Sequence, residues 1–213
     1  MIIAILGGTG KLGKGLALRL ALAGYNVIIG SRDESKAQSK AKEYSDTCGC
    51  TIKGFTNRDA AERCDVAILT IPWNEVLDFV RKHKDLLGDK IVVSPVVPMI
   101  KRNNMMVYNP PNNSMAEEIA SILGNEKVVS AFQNVPAKRF SNLNETPEFD
   151  VIVCGDNLDS KSIVMEIVNS IKNLRALDGG PLSNSRVVES LTPLLINISN
   201  LNKISKELSV KLI

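Results

Sequence analysis

The amino-acid sequence predicts an α/β protein built on a doubly wound, mostly parallel sheet. Three observations near the N-terminus predict this class. Residues 1–6 form a short apolar run typical of a buried parallel strand, residues 11–23 carry apolar side chains at helical spacing, and residues 26–30 return as a second, β-branched strand. Strand, helix and strand in this order form a βαβ unit, whose two strands pair in parallel.

Glycines are concentrated at the turn between the first strand and the first helix. In the stretch GGTGKLG, Gly8, Gly10 and Gly13 fit the spacing G-x-G-x-x-G. In a Rossmann dinucleotide-binding domain these glycines allow a tight turn, a close approach of the backbone to a pyrophosphate, and close packing of helix on strand. The free N–H groups of the helix N-terminus then attract the anion. The alternative is a glycine turn in a sheet that binds no nucleotide.

The end of the second strand indicates which dinucleotide is bound. A site for NAD is expected to have an acidic residue here, which holds the ribose 2′-hydroxyl. This chain instead has Ser31 and Arg32, and Lys36 follows one turn into the next helix. Ser31 can donate to a 2′-phosphate, Arg32 can pair with it and cover the adenine, and Lys36 adds positive charge. A solvated helix start capped by Asp33 explains the same residues and is compatible with phosphate binding. We therefore expect NADP(H).

The rest of the chain continues the alternation of strands and helices. Further strands are predicted at 51–55, 65–71, 90–94, 127–132, 150–154 and 174–177, and helices at 33–45, 57–64, 74–87, 115–123, 159–173 and 183–200. Residues 99–113 are expected to form an irregular surface loop, and Ser114 with Glu117 predicts a capping box. A polar stretch at 141–148 predicts a boundary between a dinucleotide-binding domain, 1–142, and a small C-terminal α/β domain, 143–213.

Composition argues against several classes of function. A net charge of +3 over 213 residues is too small and dispersed for binding to nucleic acid or an acidic membrane, and no apolar run approaches the ~20 residues that cross a bilayer. No signal peptide is apparent, so we expect a cytoplasmic protein. The four cysteines and the single histidine suggest no metal site, and His83 lies in the polar stretch VRKHKD, where we expect it to be solvated. Apolar residues on more than one face of the last helix predict a homodimer.

Residues for acid–base catalysis are missing from the sequence. Short-chain dehydrogenases need a tyrosine followed four residues later by lysine, whereas the three tyrosines here, Tyr25, Tyr44 and Tyr108, are followed at that spacing by Ile29, Cys48 and Asn112. No G-x-S-x-G or H-E-x-x-H motif occurs. A nicotinamide site without a proton donor suggests hydride transfer between two cofactors that the protein only aligns, and we expect no catalytic side chain. A redox-sensing module that binds NADP(H) without turnover fits these absences equally well.

The chain resembles the F420-dependent NADP reductases of archaea, small Rossmann proteins that pass hydride between the deazaflavin coenzyme F420 and NADP. The resemblance runs over nearly the whole chain. It includes GGTGKLGKGLALRLA, GSR, LTIPW, KIVVSPVVP, KVVSAF, VPAKRF and VCGD, and its most specific part is LDGGPLSNSRVVESLTPLLINI at 177–198. This resemblance implies hydride transfer between NADP(H) and F420.

The resemblance implies two groups of cofactor-binding residues. The group for NADP comprises Thr9, Gly10, Lys11, Leu12, Ser31, Arg32 and Lys36. The group expected to enclose stacked nicotinamide and deazaflavin rings comprises Ile71, Pro72, Trp73, Val97, Gln133, Val135, Pro136, Ala137, Gly180, Pro181 and Leu182. Trp73 either lines this cleft or packs under the following helix.

One position departs from the family pattern. Family members often carry His-Thr where this chain has Gln133-Asn134. Gln133 can still donate a hydrogen bond to a ring carbonyl. FMN or FAD remains an alternative second cofactor, as in an NADPH-dependent flavin reductase on the same scaffold.

Overall fold

The computed structural model describes residues 1–146 and 148–213. It contains an eight-stranded sheet, a separate two-stranded hairpin and helices on both faces of the sheet. The strands are β1 (Ile2–Leu6), β2 (Asn26–Ser31), β3 (Ile52–Thr56), β4 (Val66–Leu69), β5 (Ile91–Ser94), β6 (Met99–Arg102), β7 (Met105–Tyr108), β8 (Val128–Ser130), β9 (Phe149–Gly155) and β10 (Leu174–Asp178). The helices are α1 (Lys11–Leu22), α2 (Glu34–Cys48), α3 (Asn57–Arg63), α4 (Trp73–Lys82), α5 (Lys84–Leu87), α6 (Met115–Leu123), α7 (Ala137–Phe140), α8 (Leu158–Ser170) and α9 (Ser185–Leu201).

The order of the strands confirms the predicted doubly wound class. The sheet runs β3-β2-β1-β4-β5-β8-β9-β10, and it is parallel from β3 to β8. The chain first builds outward from β1 to β3 and then returns to place β4 on the other side of β1. Ligands of such sheets bind outside the carboxyl ends of the strands, at this change of direction.

Two apolar cores cover the two faces of the sheet. Alternate residues of β1 belong to different cores, because successive side chains of a strand point to opposite faces. Ile3 and Ile5 pack with α1, α2 and α8, whereas Ala4 and Leu6 pack with α3, α4 and α6. The central strands are apolar on both faces, which is why they appear in the sequence as continuous apolar runs.

A β-hairpin replaces the irregular loop predicted at 99–113. Strands β6 and β7 pair antiparallel, with Met99 opposite Tyr108. Asn103 and Asn104 connect them with positive φ angles of 46° and 63°, a conformation that asparagine tolerates in two-residue hairpin turns. The hairpin is fixed to α9, since the Asn197 side chain bonds both the N–H and the C=O of Met106, at 2.7 and 2.8 Å.

His83 is buried, contrary to the solvated position predicted for it. The residue interrupts the helix predicted at 74–87, which is divided into α4 and α5. The residue is only 7 % exposed, its ring stacks on Phe79 with a centroid distance of 4.3 Å, and Nδ1 lies 2.9 Å from the Phe79 carbonyl. The charged neighbours of His83 in VRKHKD indicate a solvated stretch. They are exposed, whereas the His83 side chain lies on the buried face of the same turn.

The last two strands extend the same sheet. β9 pairs antiparallel with β8, and β10 pairs parallel with β9. The loop that precedes β9 is anchored to α1 by Arg19, whose guanidinium donates to the carbonyls of Phe140, Asn142 and Glu145. The domain boundary at residue 142 stays a prediction.

Across the parts of the chain described, no helix has the length and apolarity to cross a membrane. Within the same residues, no group of three or more His, Cys, Asp or Glu side chains is arranged to hold a metal ion.

Candidate cofactor-binding site

The glycine turn after β1 has the geometry of a phosphate-binding loop. Gly7 has a φ of 78°, in the left-handed region that favours glycine. A Cβ on Gly8 would lie 2.9 Å from Cβ of Ile29, and one on Gly13 would lie 2.6 Å from Cα of Gly8. A Cβ on Gly10 would meet no atom within 4 Å. Gly8 and Gly13 therefore allow the turn, α1 and β2 to pack closely. Gly10 instead borders open space, where a ligand can approach the backbone.

Helix α1 begins at this open space. Its N-cap residue is Gly10, which supplies no side-chain cap, and the first turn closes with the bond from Lys14 N–H to Gly10 O at 2.8 Å. The amide groups of Lys11 and Leu12 precede this bond and are available to an external acceptor. With no acidic residue in the first turn, the helix N-terminus fits a pyrophosphate.

Asn57 supports the turn and was missed by the sequence analysis. Its Oδ1 accepts the Gly7 N–H at 2.9 Å, and a Cβ on Gly30 would lie 2.5 Å from the same oxygen. The side chain thus occupies the space left by one glycine and holds the backbone of another. The sequence pattern predicts only a helix start at this position, because a hydrogen bond between residues fifty positions apart leaves no local signal.

The predicted 2′-phosphate residues lie together at the carboxyl end of β2. Ser31 is buried, and its Oγ accepts the Asp33 N–H at 3.2 Å, while Asp33 caps α2 by accepting the Lys36 N–H at 3.1 Å. The Arg32 side chain is 84 % exposed and contacts Glu75, with 3.0 Å between Nη1 and Oε2. Glu75, in the first turn of α4, is a second residue that the sequence analysis did not identify.

The turn after β4 lies beside the glycine turn. A Cβ on Gly7 would be 2.9 Å from the Thr70 carbonyl. Ile71 is buried and Pro72 exposed, as expected for a turn that leaves the sheet toward α4. Trp73 packs against the apolar core on the α4 face and, with Leu77, borders a shallow groove of about 220 Å³. These contacts favour the second of the two alternatives for Trp73, packing with the helix.

A larger cleft of about 550 Å³ lies outside the carboxyl ends of β5 and β8. Val135, Pro136 and Ala137 line it from the loop after β8. The other lining residues come from the start of β6 (Met99), from the loop (Asn134), from α9 (Thr192, Leu195, Ile196, Ser199, Asn200) and from residues 204–208. β8 is three strand spacings from β1, or about 14 Å at ~4.8 Å per spacing. A dinucleotide that begins at the glycine turn can therefore reach this cleft.

Buried polar side chains lie where β5 and β8 end and in the loop that follows β8. Gln133 Nε2 donates to the Ser94 carbonyl at 3.1 Å and also contacts Ser130 Oγ. Asn134 Nδ2 donates to the Asp150 carbonyl at 3.1 Å. Three buried atoms, Ser94 Oγ, Gln133 Oε1 and Asn134 Oδ1, have no hydrogen-bond partner among the residues described. The Gln133 NH2 group, which was expected to donate to a ring carbonyl, thus donates to Ser94 and Ser130 instead. The Gln133 atom without a partner is the oxygen Oε1, which is an acceptor.

The turn Gly180–Leu182 follows β10, at the far edge of the sheet. Because β9 runs antiparallel to β8, its carboxyl end lies beside the beginning of β8. The Gly180 carbonyl accepts the Gly155 N–H at this end, and Leu182 is buried in the α6-side core. That Gly180, Pro181 and Leu182 enclose the rings with the 133–137 loop stays a prediction. Val97 is half-buried in the turn that follows β5.

Comparison with known proteins identifies the family. Residues 2–98 match the family model described as NADP oxidoreductase, coenzyme F420-dependent. The F420-dependent NADP reductase of Methanocaldococcus jannaschii is 42 % identical over 207 residues, covering 93 % of this chain and 92 % of the relative. That of Methanothermobacter marburgensis is 38 % identical, covering 96 % of this chain and 95 % of the relative. The chain belongs to the F420-dependent NADP reductase family.

The fold of this reductase chain agrees with a solved structure. The crystal structure of a putative F420 dependent NADP-reductase from an Arthrobacter species superposes with a TM-score of 0.83. The alignment covers 99 % of this chain and 98 % of the other, at 22 % identity. At this identity the likeness concerns the fold alone. The resemblance stated from sequence motifs is confirmed by the more similar archaeal relatives.

One titratable group of the reductase is completely buried outside the cleft. Glu189 of α9 is 0 % exposed, and burial raises its pKa to about 7. Its carboxylate accepts the Tyr108 hydroxyl at 2.8 Å and the N–H groups of Met115 and Ala116 at 3.0 and 3.2 Å. The carboxylate thus joins α9, the hairpin and the first turn of α6. It does not line the cleft, so its contacts indicate a role in holding these elements together.

Proposed function

We propose that this chain is an F420-dependent NADP reductase that transfers hydride directly between NADP(H) and coenzyme F420. The observation that carries the proposal is the pairing of two features at one edge of the sheet. A phosphate-binding glycine turn follows β1, and an apolar cleft of about 550 Å³ follows β5 and β8. Relatives that this chain matches over nearly their whole length bear the same activity in their names.

The first substrate, NADP(H), would extend from β2 toward the cleft. The open face of Gly10 and the uncapped start of α1 support a pyrophosphate beside Thr9, Lys11 and Leu12. The exposed guanidinium of Arg32 and the nearby Lys36 support a 2′-phosphate, with Ser31 at the strand end. Arg32 is mostly exposed and pairs with Glu75 at the surface, so it can exchange this partner for a phosphate. The turns at Ile71 and Pro72 lie between this end and the cleft.

The second substrate, the deazaflavin, would enter the cleft itself. Val135, Pro136 and Ala137 offer an apolar surface for a flat ring, and Leu195 and Ile196 of α9 border the same space. Thr192 ties the two sides together, because its Oγ1 donates to the Gln133 carbonyl at 2.8 Å. Asn134 lines this cleft, and its Oδ1, which has no hydrogen-bond partner among the described residues, suits a ligand N–H such as that of a carboxamide or a ring imide. Val97 completes this group of turns.

Both redox groups are brought by the substrates, and the chemistry they supply is the transfer of a hydride from one ring carbon to another. The contribution of the protein is to hold the rings in contact and to exclude water. Such alignment can lower a barrier by about 7–11 kcal/mol. Among the described residues that line the cleft, the charged side chains are those of Lys206 and Glu207, and both belong to the segment after α9. Val135, Pro136 and Ala137, in the loop after β8, carry no group that could transfer a proton.

A spectroscopic assay tests this proposal against its alternatives. Purified protein is mixed with NADPH and either coenzyme F420 or FMN, and reduction of each acceptor is followed by its absorbance. We expect rapid reduction of F420 and much slower reduction of FMN. Faster reduction of FMN would favour a flavin reductase. Binding of NADPH without reduction of either acceptor would favour a redox-sensing module.

The exposed face of α9 supports assembly into a homodimer. Val187, Leu194 and Leu201 are exposed and recur at intervals of seven residues, so they form one stripe along the helix. A second copy of the chain is the proposed occupant, because a stripe on a twofold axis can pack against itself. Sedimentation should give about twice the 23.2 kDa chain mass. A monomer at micromolar concentration would contradict the dimer. Cytoplasmic location and the absence of nucleic-acid binding also stay proposals, based on composition.

A further inference from the structure

The chain that follows α9 returns to the second-substrate cleft as an extended segment. Residues 203–212, here named the C-terminal strap, have no regular secondary structure. The strap starts at a turn where Lys203 has a φ of 52°. Ser199 fixes this turn, because its Oγ donates to the Ile204 carbonyl at 2.9 Å and its own carbonyl accepts the Ile204 N–H at 2.9 Å. The strap is therefore directed by α9 rather than free to leave it.

Glu207 attaches the middle of the strap to the loop that lines the cleft. Its Oε2 accepts the Lys138 N–H at 2.7 Å and the Arg139 N–H at 3.5 Å, at the first turn of α7. In return, Arg139 Nη1 donates to the Glu207 carbonyl at 3.3 Å. The carboxylate thus fixes the backbone immediately after Ala137, one of the residues that line the cleft.

Asp150 attaches the far end of the strap to the sheet. Its N–H donates to the Val210 carbonyl at 2.8 Å, and its Oδ2 accepts the Leu212 N–H at 2.6 Å. The Arg175 guanidinium pairs with both Asp150 oxygens at 2.8 Å, and it holds the pKa of this buried carboxyl below its usual range. Between these anchors, Ser209 Oγ donates to the Asn134 carbonyl at 3.0 Å.

These attachments place five successive residues, 204–208, on the surface of the cleft. Most of the strap is exposed, so burial of apolar surface contributes little to its position, and the polar contacts decide it. We propose that the C-terminal strap is a wall of the second-substrate cleft and that Glu207 is a positioning residue for the deazaflavin. This inference rests on the proposed function, since it assumes that the cleft receives that substrate.

The role of Glu207 predicts a selective effect on one of the two substrates. Glu207→Ala leaves the Lys138 and Arg139 amides without their acceptor and releases the strap beside Pro136 and Ala137. The KM for F420 should rise roughly three- to tenfold, because hydrogen bonds to a charged group are among the stronger ones but this one is partly exposed to water. The KM for NADPH should change much less, because most of the contacts proposed for it, at the glycine turn and Arg32, lie three or more strands away. Glu207→Gln should recover part of the loss, since its amide oxygen can still accept.

The experiment uses the full chain with a matched control. Glu166→Ala removes an exposed carboxylate from α8, which does not line the cleft. Steady-state KM and kcat are measured for both substrates, and hydrogen exchange of the strap and of the Lys138 and Arg139 amides is followed with and without F420. We expect F420 to slow this exchange in the unmodified protein and in Glu166→Ala, but less in Glu207→Ala.

The outcomes separate the strap from the proposed function. If the unmodified protein fails to bind and reduce F420, the proposed function is wrong, and the inference about the strap falls with it. If the unmodified protein reduces F420 but Glu207→Ala has the same KM for F420 and the same exchange rates, the strap inference alone is overturned. An equal rise in the KM values for F420 and NADPH would also overturn it, because that result indicates general destabilisation.

Discussion

The guanidinium of Arg32 and the carboxylate of Glu75 form an ion pair, with 3.0 Å between Nη1 and Oε2. Arg32 follows β2 and Glu75 lies in the first turn of α4, so the pair joins elements on the two sides of β1. Exposed pairs of this kind contribute only ~0–1 kcal/mol to stability. A 2′-phosphate, with its higher charge and several acceptor oxygens, can therefore take Arg32 from Glu75 at little cost.

Replacement of Arg32 tests the assignment of the 2′-phosphate. Arg32→Ala should raise the KM for NADPH roughly ten- to a hundredfold, because a hydrogen bond to a charged group is worth about 1.5–3 kcal/mol. The KM for NADH should change little. Steady-state kinetics with both nucleotides gives the comparison, and addition of Lys36→Ala should enlarge the effect. An equal rise in the KM values for NADPH and NADH would mean that Arg32 does not bind the 2′-phosphate.

Replacement of Glu75 should have the opposite effect. Glu75→Gln removes the competing negative charge, so Arg32 becomes more available and the KM for NADPH should fall by a factor of about two to five, the range of a weak exposed pair. The matched control is Asp78→Asn, which removes a carboxylate of the same helix that pairs with Arg81 instead. A rise in the KM for NADPH in Glu75→Gln would show that Glu75 holds Arg32 in its binding position.

Two glycines of the same turn should respond differently to alanine. At Gly10 the backbone is extended, with φ −85° and ψ 177°, and no atom lies within 4 Å of a new Cβ. Gly10→Ala should therefore keep the melting temperature but weaken NADPH binding roughly tenfold, or about 1.4 kcal/mol. At Gly13 the Cβ would lie 2.6 Å from Gly8 Cα, so Gly13→Ala should cost about 1–3 kcal/mol of stability. Calorimetry measures the stability of each variant, and titration with NADPH measures its affinity, so the two effects can be distinguished. Equal melting temperatures for both variants would contradict this geometry.

The pKa of Glu189 predicts a pH dependence of stability. Burial raises this pKa to about 7 from the 4.5 of an unperturbed glutamate, so between these values the folded state binds more protons than the unfolded state. The stability associated with Glu189 is then fully present below about pH 4.5 and is lost as the pH rises to about 7. The shift corresponds to roughly 3 kcal/mol. In urea titrations, stability should fall over this range more steeply than in Glu189→Gln. If the stability of the unmodified protein and of Glu189→Gln changed with pH in the same way, the raised pKa of Glu189 would be contradicted.

Much of the fold could be predicted from sequence because its determinants are local. The apolar runs of β1, β4 and β5, the periodicity of α1, and the Ser114–Glu117 capping box, which the structure confirms, are each contained in a few residues. The hairpin was missed because the contacts that hold it to α9, between Met106 and Asn197, join residues 91 positions apart. The burial of His83 was missed because its charged neighbours dominate the pattern.

The site could be predicted less completely, for a related reason. The glycine spacing and the residues after β2 identify one cofactor because the motif and its geometry are contiguous. Asn57, Glu75 and Glu207 act through contacts between distant segments, and the sequence carries no trace of them. The role of Gly180 and Leu182 in enclosing the rings stays a prediction. Their turn follows β10, which runs in the direction opposite to β8, so the end of this strand points away from the cofactor edge.

Direct transfer of hydride between the two substrates is the central claim, and isotope labelling tests it most directly. NADPH stereospecifically deuterated at the reactive carbon is mixed with F420 in a single turnover, in ordinary water. If the rings are in contact in a cleft without a proton-transferring side chain, the deuterium should appear on the ring carbon of reduced F420 without loss to solvent. A primary isotope effect should accompany it if chemistry limits the rate. Complete replacement of the label by solvent hydrogen would contradict direct transfer.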